Sequence, residues 1–321
     1  MLERQPYNKS PPNNVQNPMG TSVHRLACSP YFLLILTTLF WSGNFVLGRA
    51  VHQLFSPIAL SFWRWALALL ILLPFAWTRL HAQWPLLLRH WQSLTLLGIL
   101  GVANFNTFVY TGLQSTTATN AVLLVSTTPV VIVALSFLLL HLTVTRQQIL
   151  GIGLSLLGVV VIVTKGSIHA LLAQRLNPGD LWVMAAVLSW ALYSVCLKWR
   201  PAGLHPLTFL AATVIVGVVA LLPFYGWDLS RGTRLEINGV TLASISYVAI
   251  FPSILAYIFW NRAVAELGAN RTGQFLHLMP AFGAILAFLL LDEKAHYFHM
   301  VGITLIASGI YLTTVRHPRA V

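Results

Sequence analysis

Residues 118–158 read ATNAVLLVSTTPVVIVALSFLLLHLTVTRQQILGIGLSLLG, and their landmarks return in residues 269–309, ANRTGQFLHLMPAFGAILAFLLLDEKAHYFHMVGITLIASG. Ala118, Pro129, the run Phe137-Leu138-Leu139-Leu140, Gly151 and Gly158 become Ala269, Pro280, Phe288-Leu289-Leu290-Leu291, Gly302 and Gly309, each displaced by 151 residues. Working outward, Trp41, Pro57, Pro74 and Phe75 become Trp190, Pro206, Pro223 and Phe224, displaced by 149. The slip of two residues between the blocks is one small loop insertion. Internal symmetry of this kind marks a membrane transporter built from two structural repeats, with the substrate site near the bilayer midplane at their interface.

Between the landmarks the sequence is almost uninterruptedly apolar: 57% of the 321 residues are hydrophobic, 8% are charged and the mean hydropathy is +0.76. A chain of this composition belongs in lipid. Crossing the hydrocarbon takes about 20 mostly apolar residues. The breaks supply ten such spans, at roughly 31–50, 58–77, 93–113, 119–140, 148–165, 180–197, 206–226, 241–260, 272–291 and 298–315. Five fall in each repeat. Five is odd, so the second repeat enters the membrane from the opposite side. The expected fold is an all-α membrane protein of ten transmembrane helices in two inverted five-helix repeats, residues 30–165 and 178–315, behind a disordered cytoplasmic tail of residues 1–29.

A net charge of +12 and a pI of 10.3 would suggest nucleic acid in a soluble chain, but here the basic residues sort by loop. With the N-terminus in the cytoplasm, twelve of the nineteen Lys and Arg residues fall on the cytoplasmic side. Six (Arg49, Lys165, Arg175, Arg231, Arg234 and Lys294) fall on the far side, and Arg64 lies within a span. This bias places both termini in the cytoplasm and makes the lipid bilayer, not nucleic acid, the partner of the charge. Cys28, before the first span, and Cys196, inside the sixth, cannot make a disulfide framework and read as free thiols. The first 29 residues carry no apolar run and do not resemble a cleaved signal.

Trp41-Ser42-Gly43-Asn44-Phe45 in the first span, Ser61-Phe62-Trp63-Arg64-Trp65 in the second and Thr128-Pro129-Val130 in the fourth resemble the first half of an EamA-type member of the drug/metabolite transporter superfamily. The second half is supplied by Trp190-Ala191-Leu192-Tyr193, Phe251-Pro252-Ser253-Ile254-Leu255-Ala256-Tyr257, Leu267-Gly268-Ala269-Asn270-Arg271, Met279-Pro280-Ala281 and Leu291-Asp292-Glu293. One departure is visible: the family commonly carries Glu in both halves, and the position matching Glu293 is Leu142. The resemblance implies ten helices in a basket around a central cavity. It further implies that the first, third, fourth, sixth, eighth and ninth spans line that cavity, that access alternates by rocking of the two halves, and that export is the commoner direction.

All seven acids (Glu3, Asp180, Asp228, Glu236, Glu266, Asp292 and Glu293) lie in tails, in loops or at span ends. Small multidrug pumps of the same superfamily depend on a membrane-embedded carboxylate, and this chain offers none to offset a buried organic cation. Phosphate-carrying relatives need a cluster of deep basic residues, where this chain has Arg64 alone. Arg64 stands seven residues beyond Pro57, about 10 Å along a helix. An arginine near the bilayer centre costs about 2.5–3.5 kcal/mol on insertion scales and is functional by default. Its counterpart in the second repeat is Thr213, so Arg64 is read as a structural charge whose stem snorkels to the outer headgroups or bonds the carbonyls of a neighbouring helix.

The candidate substrate-binding residues fall mostly in repeat-related pairs on the expected cavity spans. Trp41 and Asn44 share a helical face, and Trp190 and Tyr193 match them. Asn106 matches Tyr257, Leu123 matches Gln274 and Ser126 matches His277, while Asn104 and Asn120 add further amides. A buried amide in lipid needs a partner, which is either a substrate or another helix. His277 could handle a proton, its ordinary pKa lying near 6.5, or could simply bond a backbone carbonyl. Pro129 and Pro280, mid-span at equivalent places, each remove a backbone hydrogen bond and kink a helix. Gly98, Gly101, Gly151 and Gly158 read as close helix contacts. His296 and His299 stand at i and i+3 without an evident third ligand, so neither metal nor cofactor is expected.

These residues point to a transporter of small neutral or zwitterionic metabolites such as amino acids, and the family resemblance implies export. It is expected to sit in the cytoplasmic (inner) membrane as a monomer or weak homodimer. An intramembrane enzyme would need a nucleophile and base, or a metal set, at membrane depth, and neither carboxylate pairs nor His/Cys clusters occur there. The alternatives are efflux of amphiphilic drug-like compounds and a sensor or scaffold that binds without moving solute.

Overall fold

The computed structural model describes residues 29–51, 54–167, 169, 177–232, 238–290 and 296–314. Residues 1–28 of the expected tail, Cys28 among them, and the acids Glu3, Glu236, Asp292 and Glu293 lie outside the described residues. Helix starts follow from local chemistry. Pro30, Pro57, Pro178 and Pro206 stand in the opening turns of the first, second, sixth and seventh spans, where a missing N–H leaves no bond unmade. The side chains of Ser56 and Asn238 cap the second and eighth spans. Thr145 with Gln148, and Asn177 with Asp180, form capping boxes at the fifth and sixth.

The spans are Pro30–Ala50, Pro57–Ala82, Trp91–Gly112, Asn120–Leu140, Arg146–Val163, Pro178–Trp199, Pro206–Ser230, Gly239–Leu267, 269–290 and Tyr297–Thr314. Among the described residues nine of these are long and apolar enough to cross a membrane, and the divided ninth span completes two sets of five. Large apolar side chains such as Leu70, Phe75, Leu150, Leu181 and Val219 face outward, as a lipid-facing surface requires.

Equivalent spans of the two repeats meet each other. The fifth and tenth run antiparallel in backbone contact, because a Cβ on Gly151 would lie 2.6 Å from the carbonyl oxygen of Gly309, and one on Gly158 2.6 Å from that of Gly302. Ser155, between them, donates to the Ile306 carbonyl at 3.4 Å. Small residues are what let membrane helices approach this closely. The second and seventh spans meet where Phe62 stacks on Tyr225, centroids 4.4 Å apart, and where Trp63 Nε1 donates to Tyr225 Oη at 2.9 Å.

Four spans are irregular, in two matched pairs. The third and eighth contain π-helical turns, Gly98–Asn104 and Ile250–Leu255, at the same place in each repeat. The expected kinks at Pro129 and Pro280 are breaks instead. The fourth span stops at Val125 and restarts as Thr128–Leu140; the ninth passes from Ala269–Gln274 through a 3-10 turn, Phe275–His277, into Leu278–Leu290. Each proline thus falls in the opening turn of a new helix, where its lack of an N–H is harmless. At the first break the hydroxyls of Ser126, Thr127 and Thr128 turn back onto the carbonyls of Val122, Leu124 and Val125, satisfying the end of the preceding helix.

Candidate functional site

Between the repeats lies a narrow chamber of about 10 Å³, room for one water. Its wall comes from the first span (Trp41, Asn44, Phe45), the third (Phe105, Asn106), the fourth (Val125, Thr128), the sixth (Trp190) and the ninth (Leu276, Met279). Trp41 and Trp190, equivalent residues of the two repeats, meet edge to face with centroids 5.0 Å apart and planes at 88°. Behind this wall the eighth span packs Tyr257, 5.3 Å from Trp190, and Trp260, 5.2 Å from Trp41, while Trp65 lies 5.0 Å from Tyr257. Ring pairs of this kind contribute about 0.5–1.5 kcal/mol each beyond burial, so the wall is stiff. Trp190 Nε1 and Asn106 Nδ2 in the lining, and Trp65 Nε1 and Trp260 Nε1 behind it, are buried without a hydrogen-bond partner among the described residues. Leaving a buried donor unpaired costs about 1–3 kcal/mol, which an acceptor on a bound solute would relieve.

The π-helical turns supply polar contacts between the repeats around the chamber, since a π turn frees carbonyls that an α-helix would use internally. Pro252 O accepts from Trp41 Nε1 at 3.0 Å and from Arg64 Nη2 at 3.1 Å. Its counterpart in the first repeat, Gly101 O, accepts from Tyr257 Oη. Each carbonyl therefore binds the opposite repeat. Arg64 is only 1% exposed. Its Nη1 donates to Asn106 Oδ1 at 2.8 Å, Tyr110 Oη at 2.9 Å and Asn44 Oδ1 at 3.1 Å, and its Nε donates to Ser253 Oγ. Of the two expected structural uses, bonding to a neighbouring helix is the one seen, and the side chain does not snorkel.

Two tyrosine–asparagine hydrogen bonds bracket the chamber. Tyr110 Oη donates to Asn44 Oδ1 at 2.8 Å, joining the third and first spans, and Tyr193 Oη donates to Asn261 Oδ1 at 2.8 Å, joining the sixth and eighth. Asn44 is the repeat counterpart of Tyr193, and Tyr110 of Asn261, so the two bonds are the same contact with donor and acceptor exchanged. Their surroundings differ. The first pair is held by the Arg64 guanidinium, whereas the second borders a cleft of about 510 Å³ at the end of the bundle that carries Ser29 and Thr314.

Of the candidate residues, Trp41, Asn44, Asn106, Trp190, Tyr193 and Tyr257 come together here. Gln274 and His277 are buried at the break in the ninth span, outside the chamber wall. Gln274 Nε2 reaches Asn270 O only at 3.5 Å. Asn104 closes the first π turn, half-buried and outside the wall. Asn120 also stands away from the wall, in the opening turn of the fourth span, its backbone N–H donating to the Thr117 cap at 3.1 Å. The described carboxylates keep to span ends. Asp180 accepts from Thr116 and from the Asn177 backbone, Asp228 accepts from Ser56, and Glu266 pairs with Arg262 at 2.7 Å.

Sequence reading misses Trp65, Tyr110, Ser253, Trp260 and Asn261. The repeat held a signal for two of them: Tyr110 and Asn261 are counterparts, each four residues beyond a candidate (Asn106 and Tyr257) and hence on the same helical face.

The EamA-like transporter family matches residues 29–164 and 177–315. The uncharacterized transporter YyaM of Bacillus subtilis is 28% identical over 286 residues, covering 87% of this chain and 92% of that protein. An uncharacterized transporter of Archaeoglobus fulgidus is 29% identical over 288 residues, covering 89% and 97%. A "probable terminal-alkyne amino-acid exporter" of Streptantibioticus cattleyicolor is 27% identical over 283 residues, covering 88% and 92%. A crystal structure that is 17% identical superimposes with a TM-score of 0.71 over 89% of this chain and 96% of its own, and so shares the fold. The two family matches coincide with the two five-helix repeats, and the chain belongs to the EamA-like transporter family.

Proposed function

We propose that this transporter carries small neutral or zwitterionic metabolites, amino acids foremost, out across the cytoplasmic (inner) membrane, with both of its termini in the cytoplasm. The reading is carried by the unmet donors Trp190 Nε1 and Asn106 Nδ2 on a largely apolar wall at the repeat interface. Such a wall suits a solute with an apolar body and an acceptor group. The described carboxylates, all at span ends, offer no counter-charge for an organic cation in the chamber. Arg64, bonded to three other spans, is a tie between the repeats rather than a phosphate receptor. The relative named as an amino-acid exporter agrees with both the solute class and the direction.

Counterflow in proteoliposomes with amino acids, aromatic metabolites and organic cations tests this. Amino-acid exchange that falls about tenfold in Trp190→Phe, the size of one lost hydrogen bond, supports it. Exchange of organic cations alone would refute it. The largely apolar wall also favours a second reading, efflux of amphiphilic drug-like compounds, which predicts exchange that tracks solute hydrophobicity and ignores the carboxylate.

A further inference from the structure

The cleft of about 510 Å³ is far larger than the narrow chamber and falls within the range of small-molecule sites. Lys198 and Arg200, at the end of the sixth span, form part of its lining, and among the described residues no acid does. Glu266, beside it in sequence, is paired with Arg262. Lys198 is exposed, and the Arg200 guanidinium rests 5.7 Å from the Phe209 ring. Fixed cations beside apolar walls focus a positive potential that raises the local concentration of anions. Ser136 and Ser194, also in the lining, bury hydroxyls that have no hydrogen-bond partner among the described residues. The cleft reaches Asn261, whose bond to Tyr193 separates it from Trp190, 5.0 Å beyond Tyr193.

We propose that this cleft is a second binding site, where a solute bearing a carboxylate loads, with Lys198 and Arg200 holding the carboxylate. The Tyr193–Asn261 hydrogen bond is the partition the solute passes to reach Trp190. The proposal rests on the transport reading above and adds which end of the solute is recognised first. An anionic lipid headgroup offers the same charge. The continuity of the cleft with the Tyr193–Asn261 partition favours a solute in transit, because a headgroup tethered to its acyl chains has no further to go. The repeat counterpart of this partition, Tyr110–Asn44, is held by Arg64, so the chamber is closed more firmly on that side.

The test reads the cleft without requiring flux. Cys28→Ser and Cys196→Ser remove the native thiols, and Ala265→Cys places one on the cleft lining of the full chain, reconstituted in neutral phosphatidylcholine. Ala202→Cys, also in the lining, serves if the first variant does not fold. An anionic sulfonate methanethiosulfonate is expected to react faster relative to its cationic ammonium analogue than it does with a free thiol, by about tenfold. That preference should vanish on combining Lys198→Gln with Arg200→Gln. Phenylalanine should slow the modification severalfold, and phenylalaninamide, which lacks the carboxylate, should not. A ratio unmoved by the double substitution, or equal protection by the amide, overturns the proposal. Protection that follows the phosphatidylglycerol content of the vesicles and ignores phenylalanine overturns it in favour of a lipid headgroup. Carboxylate-specific protection in a protein that exchanges no amino acid would sink the transport reading and leave the binding site standing.

Discussion

His277 Nε2 stands 3.0 Å from the carbonyl oxygen of Ser126, its own counterpart in the first repeat. A carbonyl only accepts, so Nε2 carries the ring proton, and the fourth and ninth spans are pinned together where each is broken. The bond gives His277 a structural task that needs no proton transfer.

His277→Gln keeps an N–H donor for that carbonyl and is expected to leave flux, with or without an imposed pH gradient, within about threefold of the parent protein. His277→Leu leaves the carbonyl unpaired and should lower stability by about 1–3 kcal/mol in thermal unfolding. Gradient-driven uptake abolished in the Gln variant while passive exchange persists would instead assign His277 a proton.

Trp41 and Trp190 are expected to respond differently to Phe. Trp41→Phe removes the bond to Pro252 O and should destabilise by about 1 kcal/mol while weakening transport. Trp190→Phe breaks no hydrogen bond within the protein, so it should cost only the packing of the lost ring, less than Trp41→Phe by about 1 kcal/mol, and act mainly on transport. Equal melting losses and intact exchange in both would reduce the chamber to packing.

Arg64→Lys keeps the charge but replaces a planar fork by three donors on a point. It cannot reach all of Asn44, Asn106, Tyr110, Ser253 and Pro252, and a loss of about 3 kcal/mol is expected in detergent melts. A neutral outcome would show that the hub is redundant.

In the fifth span two glycines provide an internal control. Gly158→Ala forces a Cβ to within 2.6 Å of Gly302 O and should cost about 1–3 kcal/mol. Gly153→Ala meets nothing within 4 Å and should change stability by less than about 1 kcal/mol. Similar melting temperatures for the pair would mean that the fifth and tenth spans are not in backbone contact.

Reporter fusions at residue 10 and residue 318 should both report the cytoplasm under the orientation proposed from the distribution of Lys and Arg. A periplasmic signal from either would reverse or break the proposed orientation.

The five-plus-five architecture was legible because its landmarks are local steric demands: Pro57 and Pro206 open helices, and Gly151 and Gly302 admit a neighbouring backbone. Gly98 and Gly101 also read correctly as close contacts, with added Cβ atoms only 2.7 Å from Thr213 O and 2.5 Å from the Tyr193 ring. The π turns they belong to were not legible, since a surplus residue in a turn leaves no mark in composition. The depth of Arg64 followed from counting beyond Pro57, but its partners lie 20 to 189 residues away and only tertiary packing reveals them. The place of Asn120, in the opening turn of its span and away from the chamber, is marked in the sequence by Thr117, three residues earlier, a recognisable cap.

Because each π turn stores a surplus residue, the third and eighth spans are set out of step with an ordinary helix by one position, equivalent to a rotation of about 100° and a shift of about 1.5 Å. Deleting one residue within 98–104 would swing Asn106 and Tyr110 off Arg64, and deleting one within 250–255 would swing Tyr257, Trp260 and Asn261 off the facing indoles. The azimuth each half shows the other is thus fixed by one extra amino acid per repeat, and a shortening that most membrane helices would absorb as a small translation acts here as a quarter-turn of the binding face.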